Sequence, residues 1–220
     1  MTQHLTIEVY FDLICPWCLI GKRHLANALQ QLRATHPDLQ PRIVWRSVPL
    51  LPDTPLNGLP YQEFYEWRLG GPAAVAARRA QVREAGRLAG VEFAFDNIAV
   101  MPNTLSAHKL IELVAQAGNA AQTDQLIEAL FAAYFIAARD IGDLAVLLEI
   151  ARECGLAINL QQLATATSAK SLSGEAQAVS GVPYYVFNHR LALSGAQPPE
   201  ILLKAINQSI DQLVPERIAH

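Results

Sequence analysis

Two cysteines three positions apart, Cys15 and Cys18, stand between a strand-like run and an amphipathic helix, and that junction constrains the fold more than any other feature. From Thr6 to Phe11 the residues alternate and are rich in Ile, Val, Tyr and Phe, the pattern of a strand. Cys15-Pro16-Trp17-Cys18 follows at once. Leu19, Ile20, Leu25, Leu29 and Leu32 then fall roughly on one helical face, which ends near Thr35 before Pro37. Arg42 to Val48 reads as a second strand. Strand, helix and strand make a β-α-β unit, whose strands should run parallel with a right-handed crossover.

The stretch from Leu59 to Gln177 reads as helical throughout. Pro72 to Gly90 carries Val75, Val82, Ala85 and Leu88–Ala89 on one side and Arg79, Arg83 and Arg87 on another. Thr104 or Ser106 opens a helix to about Gln116, and Leu126, Ile127, Leu130, Phe131, Tyr134 and Phe135 form the next apolar stripe. Asp143 caps a helix that stops at Gly155, and Asn159 with Gln162 three residues later marks another start. Strand character then returns. Tyr184 to Phe187 and Arg190 to Leu193 flank Asn188-His189, a two-residue hairpin link, and Pro198-Pro199 opens a last helix to about Val214. The order β-α-β, helical block, β-β-α is a thioredoxin-like α/β layout with a large all-helical insertion. Residues 1–58 and 178–220 form the thioredoxin-like part, and residues 59–177 form an inserted block expected to cover the cysteines.

Composition removes several classes of function. Seventeen Lys and Arg against twenty Asp and Glu leave a net charge of −3, so no strongly basic face is available for nucleic acid. The longest apolar run, Ala129 to Ala138, is ten residues, where a membrane span needs about twenty. The first residues lack a basic and apolar leader, so a cytoplasmic location is expected.

A thiol is a nucleophile only when it ionises near neutral pH. Cys15 sits where the strand ends and the helix begins, with Pro16 at the first helical position, so unsatisfied backbone N–H groups and the positive helix end favour its thiolate. Cys18, one turn on, lies on the same side, within disulfide reach and more buried. Position therefore assigns attack to an exposed Cys15 and resolution to Cys18. Three plainer readings compete: a structural staple, which so short a loop serves poorly; a zinc site, for which no second Cys-x-x-Cys exists, so no metal is expected; and chance spacing, which the flanking strand, proline and helix disfavour. Cys154, before Gly155, reads as an inert buried thiol.

Cys15-Pro16-Trp17-Cys18 after Val9-Tyr10-Phe11-Asp12, with Gly21-Lys22 behind it, resembles the DsbA family of thioredoxin-fold oxidoreductases, specifically its FrnE-like branch. Asn103-Thr104 with Ala107-His108, the Leu130-Phe131…Tyr134-Phe135 helix, Asp140-Ile141-Gly142-Asp143 and Ser180-Gly181-Val182-Pro183 fit that branch in order. The match covers nearly the whole chain. It implies a cis proline at Pro183 beside the active cysteine, dithiol–disulfide exchange, no dissociable cofactor beyond a redox-active Cys15–Cys18 disulfide, and a Val182 backbone that pairs with extended substrate. The central Pro-Trp departs from the Pro-His of periplasmic DsbA, and Trp17 brings no charge to support a thiolate. Strong oxidising power is therefore not carried over. The chain is also similar to glutathione-dependent hydroxychromene carboxylate isomerases and kappa-class glutathione transferases, in which serine replaces the redox cysteine.

Smaller signals accompany the pair. Asp12 either sits beneath it as proton acceptor for Cys18 or is a solvated strand-end acid. Asn103 either contacts substrate backbone or glutathione, or caps a helix. His24 and His108 read as ordinary helix histidines, Arg79-Arg83-Arg87 as a row that steers an acidic partner or merely faces solvent, and Trp45, Trp67 and Tyr184-Tyr185 as core or groove walls. The expectation is an oxidoreductase acting on protein or small-molecule dithiols, with Cys15, Cys18 and Pro183 catalytic, Pro16, Trp17 and Asp12 supporting, and Val182 and Asn103 binding substrate. Glutathione enters as a candidate co-substrate, and monomer and homodimer both fit. The alternatives are a glutathione-dependent isomerase or transferase and a non-catalytic peptide-binding module.

Overall fold

The computed structural model describes residues 5–168 and 179–211. Strand β1 (Thr6–Phe11) is the second strand of a four-stranded sheet of order β2-β1-β5-β6. It runs parallel to β2 (Arg42–Ser47), with Val9 opposite Trp45, and antiparallel to β5 (Tyr184–Phe187), with Val9 opposite Tyr185. Interior position buries both of its faces, so five of its six residues are buried although Glu8 and Tyr10 interrupt the apolar row. β6 (Leu191–Ser194) pairs antiparallel with β5 and closes the far edge.

Helix α1 (Pro16–Thr35) links β1 to β2 and begins with proline at its first position. Its apolar face, Leu25, Ala28 and Leu32, joins Ile7, Val9, Tyr185 and Phe187 of the sheet and Leu202 and Ile206 of α8 (Pro199–Asp211) in one core. A second core begins at Phe11, Leu13, Cys15, Cys18 and Leu19 and continues into Leu110, Leu130, Phe131 and Tyr134 of the helical block. Full burial of such a side chain contributes about 1.5–3 kcal/mol. The redox-type motif thus lies in the core shared with the insertion, not in the one that sheet, α1 and α8 make alone. Ion pairs also join the halves: Lys22 of α1 meets Asp124 of α5 (Ala120–Phe135) at 3.0 Å, and Arg23 pairs with Glu128.

The middle stretch departs from uniform helix. Leu59–Pro60 (β3), just before α2 (Tyr61–Leu69), and Val100–Met101 (β4), between α3 (Pro72–Leu88) and α4 (Leu105–Gln116), pair as a short antiparallel ribbon. Helices α6 (Leu144–Glu153) and α7 (Leu160–Ser168) start as their residues dictate. Asp143 accepts the Ala145 and Val146 amides, and Asn159 and Gln162 exchange reciprocal 2.9 Å bonds. The hairpin is one residue longer than its sequence suggests: Asn188 and His189 both take positive φ (48° and 56°), Arg190 donates back to the Phe187 carbonyl, and Phe187 pairs with Leu191. Trp67 and Leu88 are not core residues but lie exposed, because the faces that carry them turn outward from α2 and α3. The expected end of the helical block at Gln177, the boundary at residue 178 and the end of the last helix near Val214 lie outside the described residues.

Candidate active site

Cys15 is the N-cap residue of α1, with extended backbone (φ −91°, ψ 108°), and its amide bonds the Asp12 carbonyl at 3.2 Å, so a tight turn joins β1 to the helix. Pro16 has no amide to satisfy, and Trp17 is only half-buried. The Cys18 amide reaches the Cys15 carbonyl at 3.0 Å, which stacks the second thiol one turn behind the first. Both cysteines are unbonded thiols.

The expectation of an exposed Cys15 is corrected. It is 6% exposed against 3% for Cys18, because the loop before β5 closes over it and the insertion packs beside it. In that loop the Val182–Pro183 peptide is cis, Pro183 is buried, and the Cys15 Sγ donates to the Val182 carbonyl at 3.7 Å. The structure therefore brings Cys15, Cys18, Val182 and Pro183 together from opposite ends of the chain.

Cys18 has its pKa raised well above the usual thiol value, first by burial, then by its hydrogen bond to Cys15 and the charge there; a hydrogen bond to the Asp12 backbone lowers it, and the Asp12 charge raises it by less. Asp12 is fully buried, not a solvated strand-end acid. Its Oδ2 accepts the Leu50 amide at 2.6 Å, and its Oδ1 lies 3.0 Å from Nε2 of the equally buried His108. The other ring nitrogen of His108, Nδ1, has no partner among the described residues. His108 was the functional candidate that helix periodicity passed over. Its signals were the Ala107-His108 match to the family and a polar residue among the apolar ones of α4, and its partner is 96 positions away.

Asn103 is engaged twice: its amide donates to the Thr54 carbonyl, and its oxygen accepts the Leu105 amide at 2.9 Å, so it fixes the start of α4. His24 binds the Gln197 carbonyl at 2.9 Å and ties α1 to the last connection. Cys154 is half-buried rather than buried, with its pKa raised by desolvation and then by Glu153. The arginine row divides: Arg83 pairs with Asp96 at 2.6 Å and Arg87 with Glu84, while Arg79 turns toward the ring of Tyr61. Beside Pro16 and Trp17 a cavity of about 190 Å³ opens between the motif and helices α2 and α3. Among the described residues no helix is long and apolar enough to cross a membrane, and no group of three His, Cys, Asp or Glu could hold a metal ion.

Comparison with known proteins places this arrangement. The model of the DsbA-like thioredoxin domain matches residues 6–207. A probable DsbA oxidoreductase from Streptomyces coelicolor superposes with a TM-score of 0.80 at 21% identity, over 98% of this chain and 94% of that one. The cytosolic disulfide reductase DsbM from Pseudomonas aeruginosa, solved with glutathione, gives 0.59 at 18% identity, over 94% and 99%. A 2-hydroxychromene-2-carboxylate isomerase gives 0.57 at 14% identity, over 94% and 97%. These likenesses are of fold. No curated protein sequence matches significantly. With the family model spanning nearly the entire chain and the fold agreeing, the protein belongs to the DsbA-like thioredoxin-domain family of thiol oxidoreductases.

Proposed function

We propose that the protein exchanges dithiols and disulfides through Cys15 and Cys18, with Cys15 the nucleophile. The observation that carries this reading is the unequal placement of the two thiols. One caps the first turn of α1, where free backbone N–H groups face a developing thiolate, and the other is held protonated one turn behind it. The Cys15 thiolate attacks a substrate disulfide, forming a mixed disulfide and expelling one substrate thiolate. Cys18 then gives its proton to Asp12 and attacks the Cys15 sulfur, which expels the second thiolate and leaves a Cys15–Cys18 disulfide. Two electrons pass to the substrate, and the reverse sequence oxidises a dithiol.

The Val182 carbonyl and the Pro183 ring bound the approach to Cys15, so an extended substrate would lie along that loop, while residues 59–177 serve as the cover over the pair. Pro16 starts the helix and Trp17 walls the approach. Asn103, occupied by Thr54 and Leu105, is proposed to shape this cover rather than touch substrate. Glutathione, with which the cytosolic reductase DsbM was solved, fits as co-substrate, and so does a cytosolic setting. The isomerase reading is second, because its relatives use no resolving thiol and this chain has one buried against the first.

Trapping tests the reading. Cys18→Ser should accumulate covalent complexes with disulfide substrates, and Cys15→Ser should form none. A Cys15→Ser variant that keeps full disulfide-reducing activity would overturn it.

A further inference from the structure

The cavity beside Pro16 and Trp17 is built mainly from rings and aliphatic chains, including Tyr61, Tyr65 and Leu69, yet three arginines line it and no carboxylate does. At about 190 Å³ it is larger than the roughly 150 Å³ cavity that accommodates a benzene ring. Its positive charge is not cancelled locally. Arg79, 14% exposed, reaches Asp96 only at 3.5 Å and shares it with Arg83. Arg78 donates to Gln81, Arg68 lies 5.9 Å from the ring of Phe64, and neither forms an ion pair among the described residues. Burial raises the pKa of Tyr61 and pushes that of Tyr65 up to about 12, so both remain hydroxyl donors at this wall. Pro16 and Trp17, the two residues that follow Cys15, line the cavity, which sets it beside the turn that carries the reacting sulfur.

An apolar lining suits a flat, hydrocarbon-rich group, and Arg68 and Arg78, exposed at its rim and without an ion pair among the described residues, suit an anion. We infer that this cavity is the subsite for the group borne on the substrate sulfur, and that the substrate class is an aromatic disulfide or thiol carrying a carboxylate. The inference rests on the redox reading of Cys15 and Cys18. In the reducing direction the Cys15 thiolate attacks the aryl disulfide, one aryl thiolate leaves, and the second aryl group sits in the cavity as its mixed disulfide with Cys15. Cys18 loses its proton to Asp12 and displaces the second aryl thiolate. One disulfide is formed in the protein as one is broken in the substrate.

The reduced protein, mixed in stopped flow with three disulfides, separates charge from shape: dithiobis(nitrobenzoate) is aromatic and dianionic, dithiodipyridine aromatic and neutral, hydroxyethyl disulfide aliphatic and neutral. In Arg68→Gln/Arg78→Gln the rate ratio of the dianionic to the neutral aryl disulfide should fall about tenfold, the scale of a lost charge-assisted contact. Arg33→Gln, at the exposed far end of α1, should leave that ratio unchanged. Leu69→Trp, which fills the cavity, should slow both aryl disulfides relative to hydroxyethyl disulfide. An unchanged ratio in the double variant, an equal fall in Arg33→Gln, or no aryl effect of Leu69→Trp would overturn the subsite while leaving the redox reading intact. A parent protein that reduces none of the three, or a Cys15→Ser variant that reduces all of them at the parental rate, would sink the redox reading and the substrate class with it.

Discussion

In the proposed exchange Asp12 is the base of the second half: it is fully buried, and its charge acts on a Cys18 thiol that burial and Cys15 keep protonated. The Leu50 amide and His108 hold both of its oxygens in place. Asp12→Asn keeps the shape and one acceptor oxygen, for the Leu50 amide or for His108, and it takes no proton. The first attack by Cys15 should therefore change little, while resolution of the mixed disulfide should slow by about 10²-fold, the low end of a positioned general base. Quenched-flow trapping of the covalent intermediate measures the two steps separately, and equal slowing of both would remove Asp12 from the proton path. The cysteine pair was legible in the sequence because a strand, a proline and an amphipathic helix frame it locally, whereas Pro183 entered through the family resemblance. His108 was not, since the carboxylate that gives it meaning arrives from another element, and Trp67 misled because an aromatic residue on a helix does not reveal which face that helix buries.

Gly21 shows how tightly α1 is set against the sheet. A Cβ there would meet the Tyr185 hydroxyl at 2.2 Å and the Pro183 ring at 3.1 Å, so α1 can approach β5 only with glycine at this position. The Tyr185 hydroxyl is itself buried without a partner among the described residues. Gly21→Ala should improve intrinsic helix propensity yet lose about 1–2 kcal/mol net through overpacking. Tyr185→Phe should be close to neutral, since it removes an oxygen that bonds nothing, and the double variant should recover most of the loss. Urea titration of the four proteins reads the coupling; additive effects would show that the helix shifts rather than collides. Helix starts with their own chemistry, such as Asp143 and the Asn159–Gln162 pair, were readable because capping is local. The β3–β4 ribbon was not, because two strands of two residues, one containing Pro60, carry no period at all.

The order of elements along the chain was legible at the scale of the molecule, but not how closely its halves are joined. One core runs from Phe11 and both cysteines into the helical block, and Lys22 and Arg23 clamp α1 to α5, so α1 belongs to both halves. Contacts between residues a hundred positions apart leave no trace in local spacing. This shared burial also makes stability depend on redox state and pH. Cys18 in the folded, reduced protein has a raised pKa, whereas an unfolded cysteine ionises near about 8.5. Below that value both states carry the neutral thiol and the group has no pH effect. Above it the unfolded chain releases a proton that the folded protein retains, so stability falls as pH rises toward the folded pKa. With reductant present, the parent should lose stability relative to Cys18→Ala by up to about 1.4 kcal/mol per pH unit from about pH 8.5 upward. The gap between the two should be flat from about pH 5 to 7, where neither state of the thiol ionises appreciably. Without reductant, the Cys15–Cys18 disulfide carries no ionisable thiol, and the slope due to Cys18 should vanish. Denaturant melts of both proteins across this range, in both redox states, decide the matter: parallel pH profiles under reduction would show that Cys18 ionises as freely in the folded protein as in the unfolded chain.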